Sequence, residues 1–195
     1  MTQTIERPER TEAVDYYFTY IDKVPAGDIR AILDTQARDV AAELRAISDE
    51  TSLRRYAPDK WSIREVVSHL NDAERAFTFR AFWFARGLDS ALPSFDQDVA
   101  VRGANADQRA WHEHIDEFDS IRAATLALFS SLTDEAWSRR GVASGNEFSV
   151  RALAFVTAGH VAHHMRILRE RYLRARGWAL PSRVILSERC PGASS

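Results

Sequence analysis

Apolar residues return every three or four positions along four stretches of the chain, the spacing of helices with one buried face. The first stretch runs Ile29, Ile32, Leu33, Gln36, Val40, Leu44, Ile47 and predicts a helix capped by Asp28 and ending near Ser48. The second runs Ile63, Val66, Val67, Leu70, Ala73, Phe77, Ala81, Phe84 and stops at Gly87. Ser62 and Glu65 form a capping box at its start, with Trp61 and Val66 placed as a hydrophobic staple. A third helix spans about Asp107 to Leu132, with Trp111, Ile115, Phe118, Ile121, Thr125, Leu128 and Phe129 inward. The fourth starts at Ser149 as N-cap and runs to about Arg176, its stripe reading Leu153, Thr157, His160, Val161, His164, Leu168.

Four amphipathic helices of similar length predict an all-α fold, a four-helix bundle over about residues 28–176 in a single domain covering 1–195. Residues 1–27 read as an N-terminal arm whose Tyr16, Tyr17, Phe18, Tyr20 and Ile21 carry enough apolar surface to dock on the body. Pro25-Ala26-Gly27 breaks that arm from the first helix. The stretch from Leu88 to Ala106 reads as a connection, long enough for a crossover along the bundle rather than a tight hairpin. Thr133 to Glu147 is a second link, and no strand-like alternation stands out. Residues 177–195 read as a short ordered strip near Trp178 followed by a loose tail.

Composition narrows the function classes. The chain has 195 residues, 45% hydrophobic and 28% charged, as soluble globular proteins do. A net charge of −2 gives no general attraction to nucleic acid or to an anionic membrane. No run approaches the roughly 20 apolar residues of a membrane span. The single cysteine, Cys190, has no internal partner, and the polar N-terminus lacks a signal peptide's apolar segment, so the expected location is the cytoplasm.

The histidines change the picture most. His160 and His164 are four apart on the fourth helix, on one face, with Cβ atoms about 5–6 Å apart. One divalent ion can be gripped by such a pair, since imidazole nitrogen binds zinc at about 2.0–2.1 Å. Two imidazoles side by side in an apolar layer leave four ring nitrogens to satisfy, and a metal meets one on each. The plain alternative is a hydrogen-bonded or half-exposed pair. A third ligand would come from another helix, and His69, at the flank of the second stripe in line with Ala73, Ala76 and Arg80, is the best candidate. Asp72 and Glu74 point less inward. His163 lies about 100° around the helix from His164 and reads as a hydrogen-bonded flank residue. His112 and His114 read as solvated surface. Three imidazoles would leave a coordination position open, the catalytic rather than the structural pattern. There a metal could lower the pKa of water to about 7 or activate a thiolate.

Lys60-Trp61-Ser62-Ile63-Arg64-Glu65-Val66-Val67-Ser68-His69-Leu70-Asn71-Asp72, followed some ninety residues on by Gly159-His160-Val161-Ala162-His163-His164, resembles the DinB-like (DNA-damage-inducible) superfamily. The resemblance covers about residues 20–175. It implies an up-down-down-up bundle with a divalent metal on three histidines, carried over here onto His69, His160 and His164. It further implies relatives that include bacillithiol and mycothiol S-transferases, a mycothiol-dependent isomerase and metal-dependent hydrolases, many of them homodimers.

The expected function is therefore a metal-dependent thiol S-transferase, with a low-molecular-weight thiol and a small-molecule electrophile as partners. The alternatives are a hydrolase using metal-bound hydroxide and a non-catalytic, stress-related metal-binding protein. Zinc is the first expectation for the metal, ahead of nickel, iron or manganese. Asp72 is a candidate to orient a ligand. Arg80 is a candidate to hold a substrate carboxylate, a structural ion pair being the plainer reading. Phe95-Asp96-Gln97-Asp98 reads as a capped turn in preference to a cover over the metal mouth, and Tyr56 and Trp61 as packing at the start of the second helix.

Overall fold

A computed structural model describes residues 4–173. Four long helices carry the fold: α2 (Ile29–Arg45), α4 (Ile63–Ala85), α6 (Trp111–Ser130) and α8 (Val150–Ile167). Shorter helices fill the links: α1 (Asp15–Ile21), α3 (Asp49–Ser52), α5 (Gln97–Ala104) and α7 (Asp134–Ser138). The sequence-level starts hold at three of the long helices. Asp28 accepts from the Arg30 N–H at 2.9 Å, and Ser149 accepts from the Ala152 N–H at 2.9 Å. Ser62 and Glu65 close the capping box reciprocally.

Cross-helix hydrogen bonds give the direction of each rod. Trp111 Nε1 donates to Leu44 O while Arg122 donates to Leu33 O, so α6 runs antiparallel to α2. Arg64 bonds Arg109 O and Glu74 binds Arg122, so α4 and α6 are parallel. His69 meets His160 and Tyr172 reaches Trp61 O, which makes α8 antiparallel to α4. Gln36 bonds Ala158 O and Glu43 binds Arg169, so α2 and α8 are parallel. The bundle is thus up-down-down-up, with α2–α6–α4–α8 as the order around it.

Parallel α4 and α6 force the chain to travel back along the bundle between them. That return contains α5 and a 3-10 turn at Ala106–Gln108, so the third long helix begins at Trp111 rather than Asp107. Asp107 instead binds the Ser62 hydroxyl and Arg55. The second link holds α7 and a hairpin, β1 (Arg140–Ala143) with β2 (Asn146–Ser149), which corrects the expectation of no strands. Its two-residue turn, Ser144-Gly145, has φ 53° and 73°, the double positive φ of a type I′ turn. Four-residue strands are too short to show alternation in sequence. The first long helix ends at Arg45, one turn before Ser48. Beyond α8 the helix widens into a π-helical turn, Leu168–Leu173, and positions 174–195 lie outside the described residues.

The core falls into two apolar clusters. One gathers α1, the hairpin, the end of α4 and the start of α8; the other gathers the ends of α2 and α8 with the starts of α4 and α6. Between them Arg122 and Glu74 pair at 2.8 Å, 1% and 2% exposed.

α8 is buried on every side from Ala152 to Val161, because the N-terminal arm covers its outer face. Glu12 accepts from the Ser149 hydroxyl at 2.7 Å and pairs with Arg151, tying the arm to the first turn of α8. Further along, the α1 backbone presses on Gly159: a Cβ built there would stand 2.2 Å from Tyr20 O. Alanine normally stabilises a helix interior by about 1 kcal/mol over glycine. Here Gly159→Ala is expected to destabilise the protein by about 1–3 kcal/mol, read as a lower urea midpoint. A higher midpoint would mean that α1 does not dock as described. Among the described residues no helix is long and apolar enough to cross a membrane.

Candidate metal centre

The antiparallel contact of α4 and α8 brings His69, His160 and His164 together. One ring nitrogen from each lies within 4.8 Å of the other two. His69 Nε2 stands 3.1 Å from His160 Nε2, and the His160 and His164 ring centroids are 4.5 Å apart. Two nitrogens sharing an ion at about 2.0–2.1 Å stand about 3.3 Å apart at tetrahedral angles. One pair is already close to that spacing, and the others lie within about 1.5 Å of it.

His69 and His160 are buried, and His164 is partly exposed. Burial depresses the basicity of all three. It takes His69 to about 4, with a smaller opposite pull from the Asp98 carboxylate. His164 falls to about 3, from burial and then from its histidine neighbours. His160 is held well below the usual value for the same reasons. Neutral imidazoles are the ligating form. His69 turns Nε2 to the other rings, and its second nitrogen, the buried Nδ1, has no partner among the described residues. A divalent ion fits the donor set: three neutral imidazoles that each bring one nitrogen within 4.8 Å of the other two.

Aromatic rings wall the cluster. Trp61 lies 5.0 Å from His69, Phe77 lies 5.6 Å from His160, and Tyr20 lies 5.4 Å from both His160 and His163. The N-terminal arm therefore contributes a wall of the site.

A sequence model of the DinB superfamily matches residues 32–168. The chain belongs to the DinB superfamily. Among solved structures it is similar in fold to YfiT from Bacillus subtilis, described as a probable metal-dependent hydrolase with an unusual four-helix bundle topology. That likeness has TM-score 0.65 at 15% identity, over 88% of this chain and 94% of YfiT. A mycothiol-dependent maleylpyruvate isomerase is similar at TM-score 0.56 and 11% identity, over 70% of this chain and 58% of the isomerase. A mutant of that isomerase gives TM-score 0.59 at 10% identity with the same coverage. No curated protein matches the chain in sequence.

Several readings of this DinB-superfamily chain need correction. Glu74 is turned into the core and not away from it: Arg122 Nε and Nη2 each reach one of its oxygens at 2.8 Å, and Thr125 adds a bond at 2.7 Å. His114 is fully buried rather than solvated, because the Ala106–Gln108 turn folds over it and Ala106 O sits 3.0 Å from Nε2. His163 makes ring-edge contacts with Tyr20 and His164, and among the described residues its ring has no hydrogen-bond partner where one was expected. His112 is exposed as expected.

Arg80 is buried, and among the described residues it has no ion-pair partner. It donates to Pro93 O at 3.2 Å and Ser144 Oγ at 2.9 Å and lies against the Tyr17 phenol. It thereby ties both links and α1 to α4. Asp72 bonds Arg75 at 3.4 Å on a half-buried flank, and burial raises its pKa. Asp96 caps α5, accepting from the Asp98 and Val99 N–H groups at 3.0 Å. Asp98, the acidic group whose field reaches His69, was read from sequence only as part of the Phe95-Asp96-Gln97-Asp98 capped turn. Its signal was present: it sits in the first turn of a short amphipathic helix inside the crossover.

Without metal, the three histidines make stability pH-dependent. Their folded pKa values lie below the unfolded value near 6.5, so below pH 6.5 the unfolded chain takes up protons that the folded chain refuses. Stability is then lost as pH falls from about 6.5 toward 4. Urea midpoints in chelator are expected to fall through that window, less steeply for His164→Asn. A flat profile, or one equally steep in the variant, would contradict the burial of neutral imidazoles.

Proposed function

We propose that the chain is a divalent-metal-dependent thiol S-transferase whose metal ligands are His69, His160 and His164. The observation that carries this reading is the ligand chemistry. Among the described residues the convergent set contains three imidazoles and neither carboxylate nor thiolate, so an ion held there would keep its full double charge. Such an ion supplies the Lewis acidity that lowers the pKa of a thiol entering its open side. Zinc suits three imidazoles and comes first.

The chain's own residues serve that chemistry in distinct ways. His69 and His160 hold their nitrogens neutral by burial. Trp61, Phe77 and Tyr20 exclude water from around the rings. His164, on the partly exposed side, marks the direction from which small molecules arrive. In the transfer the thiol loses its proton to solvent, sulfur bonds the electrophilic carbon, and the leaving group departs with its electron pair. No carboxylate base beside the metal is required. That matters, because Glu74 has both oxygens committed to Arg122 and Asp72 faces Arg75.

A hydrolase is the second reading. It draws on the likeness to YfiT and on Asp98, an exposed carboxylate on the His69 side that could take a proton from water.

Purified protein is expected to bind about one zinc per chain, and His69→Ala, His160→Ala and His164→Ala to lose it, while His112→Ala keeps it. Loaded protein is expected to conjugate an electrophilic bimane only with the right member of a low-molecular-weight thiol panel, and to stop when chelator is added. Ester hydrolysis without any thiol, lost in Asp98→Asn, would favour the hydrolase. Full metal content in His160→Ala would overturn both readings.

A further inference from the structure

The two helices that carry the histidines are also joined through the other side of the bundle. Gln36, half-buried on α2, donates from Nε2 to Ala158 O at 2.9 Å, two residues before His160. Its Oε1 accepts from Arg122 Nη1 at 3.0 Å. Arg122 in turn grips Glu74, five residues after His69, through two bonds of 2.8 Å, and also holds Leu33 O at 3.1 Å. The path reads α8, Gln36, Arg122, Glu74, α4, and every joint in it is a directional hydrogen bond.

These three side chains stand where the apolar core is interrupted, between its two clusters. At the level of the histidines α4 and α8 meet through the imidazoles themselves and Phe77, while Gly159 faces α1. A slip of one residue moves a side chain by about 1.5 Å along the axis, against a tolerance of about 0.2 Å in metal–ligand distance.

We propose that Gln36, Glu74 and Arg122 are positioning residues of the metal centre: they fix the height of α4 against α8 so that His69 meets His160 and His164. The proposal rests on the metal reading above. None of the three touches the ion; each acts through the backbone of a ligand-bearing helix. Glu74 and Arg122 also explain why a bundle core tolerates a buried ion pair, which an apolar pair of similar volume often matches or exceeds in stability.

The test separates metal affinity from folding. Zinc affinity is measured by calorimetry against a competing chelator, and the urea midpoint is measured on the metal-free protein. Gln36→Glu keeps an acceptor for Arg122 but removes the donor to Ala158 O. The double variant Glu74→Met with Arg122→Met removes the ion pair without leaving a lone buried charge. Both are expected to bind zinc about 10–100-fold more weakly than wild type, with the apo midpoint of Gln36→Glu unchanged and that of the double variant unchanged or raised. Affinity within twofold of wild type in Gln36→Glu overturns the proposal even if the double variant fails to fold. So does a loss of midpoint with no loss of affinity. Wild-type protein that takes up no zinc in the same titration sinks the metal reading and this proposal with it. Wild-type binding matched by the variants sinks the positioning role alone.

Discussion

Three neutral imidazoles brought together from two helices inside an apolar bundle organise this molecule. Burying a polar group without a hydrogen bond costs a few kcal/mol, and the ring nitrogens turned toward one another across α4 and α8, His69 Nε2 and His160 Nε2 at 3.1 Å with His164 beside them, have each other as neighbours. The arrangement makes physical sense if the rings share an ion. The antiparallel contact of α4 and α8, the aromatic wall and the arm folded over α8 then read as parts of one enclosure. The Gly159 contact shows how tight that enclosure is: the arm's backbone lies where any side chain would be.

The topology supplies what such a centre needs. Because α4 and α6 run parallel, the chain must return along the bundle between them. This return path carries α5 toward His69, covers His114 and delivers the Pro93 carbonyl to Arg80. A simple up-down-up-down bundle would join those helices by a short turn and leave that flank bare. The buried pair of Glu74 and Arg122 sits five residues along α4 from His69 and spans α4 and α6, with Gln36 extending it to α2 and α8. These polar groups stand between the two apolar clusters.

Much of this was legible in the residues. Caps at Asp28, Ser62 and Ser149 and the three- and four-residue spacing of apolar positions marked the long helices, because local chemistry decides helix starts. His69, His160 and His164 could be paired across ninety residues because imidazoles on apolar stripes are conspicuous. Other features depended on contacts that spacing does not encode. Glu74 and Arg122 each occupy a stripe position, Glu74 between Leu70 and Phe77, Arg122 between Phe118 and Thr125. A lone charge there reads as outward until its partner on another helix is known. His114 looked solvated because its cover comes from the crossover, whose path only the packing reveals. The hairpin was hidden by the brevity of its strands, and the left-handed Ser144 gave no warning in a residue that rarely adopts that conformation.

The central claim is that three imidazoles from two helices share one ion and leave room for an outside molecule. X-ray absorption at the zinc edge of the loaded protein tests it most directly. The account predicts three imidazole nitrogens at about 2.0–2.1 Å, with their outer-ring scattering, plus a light atom or two from solvent, and one sulfur in place of a solvent atom when a thiol is added. Two or fewer imidazoles, or a fourth protein ligand closing the site against the thiol, would contradict it.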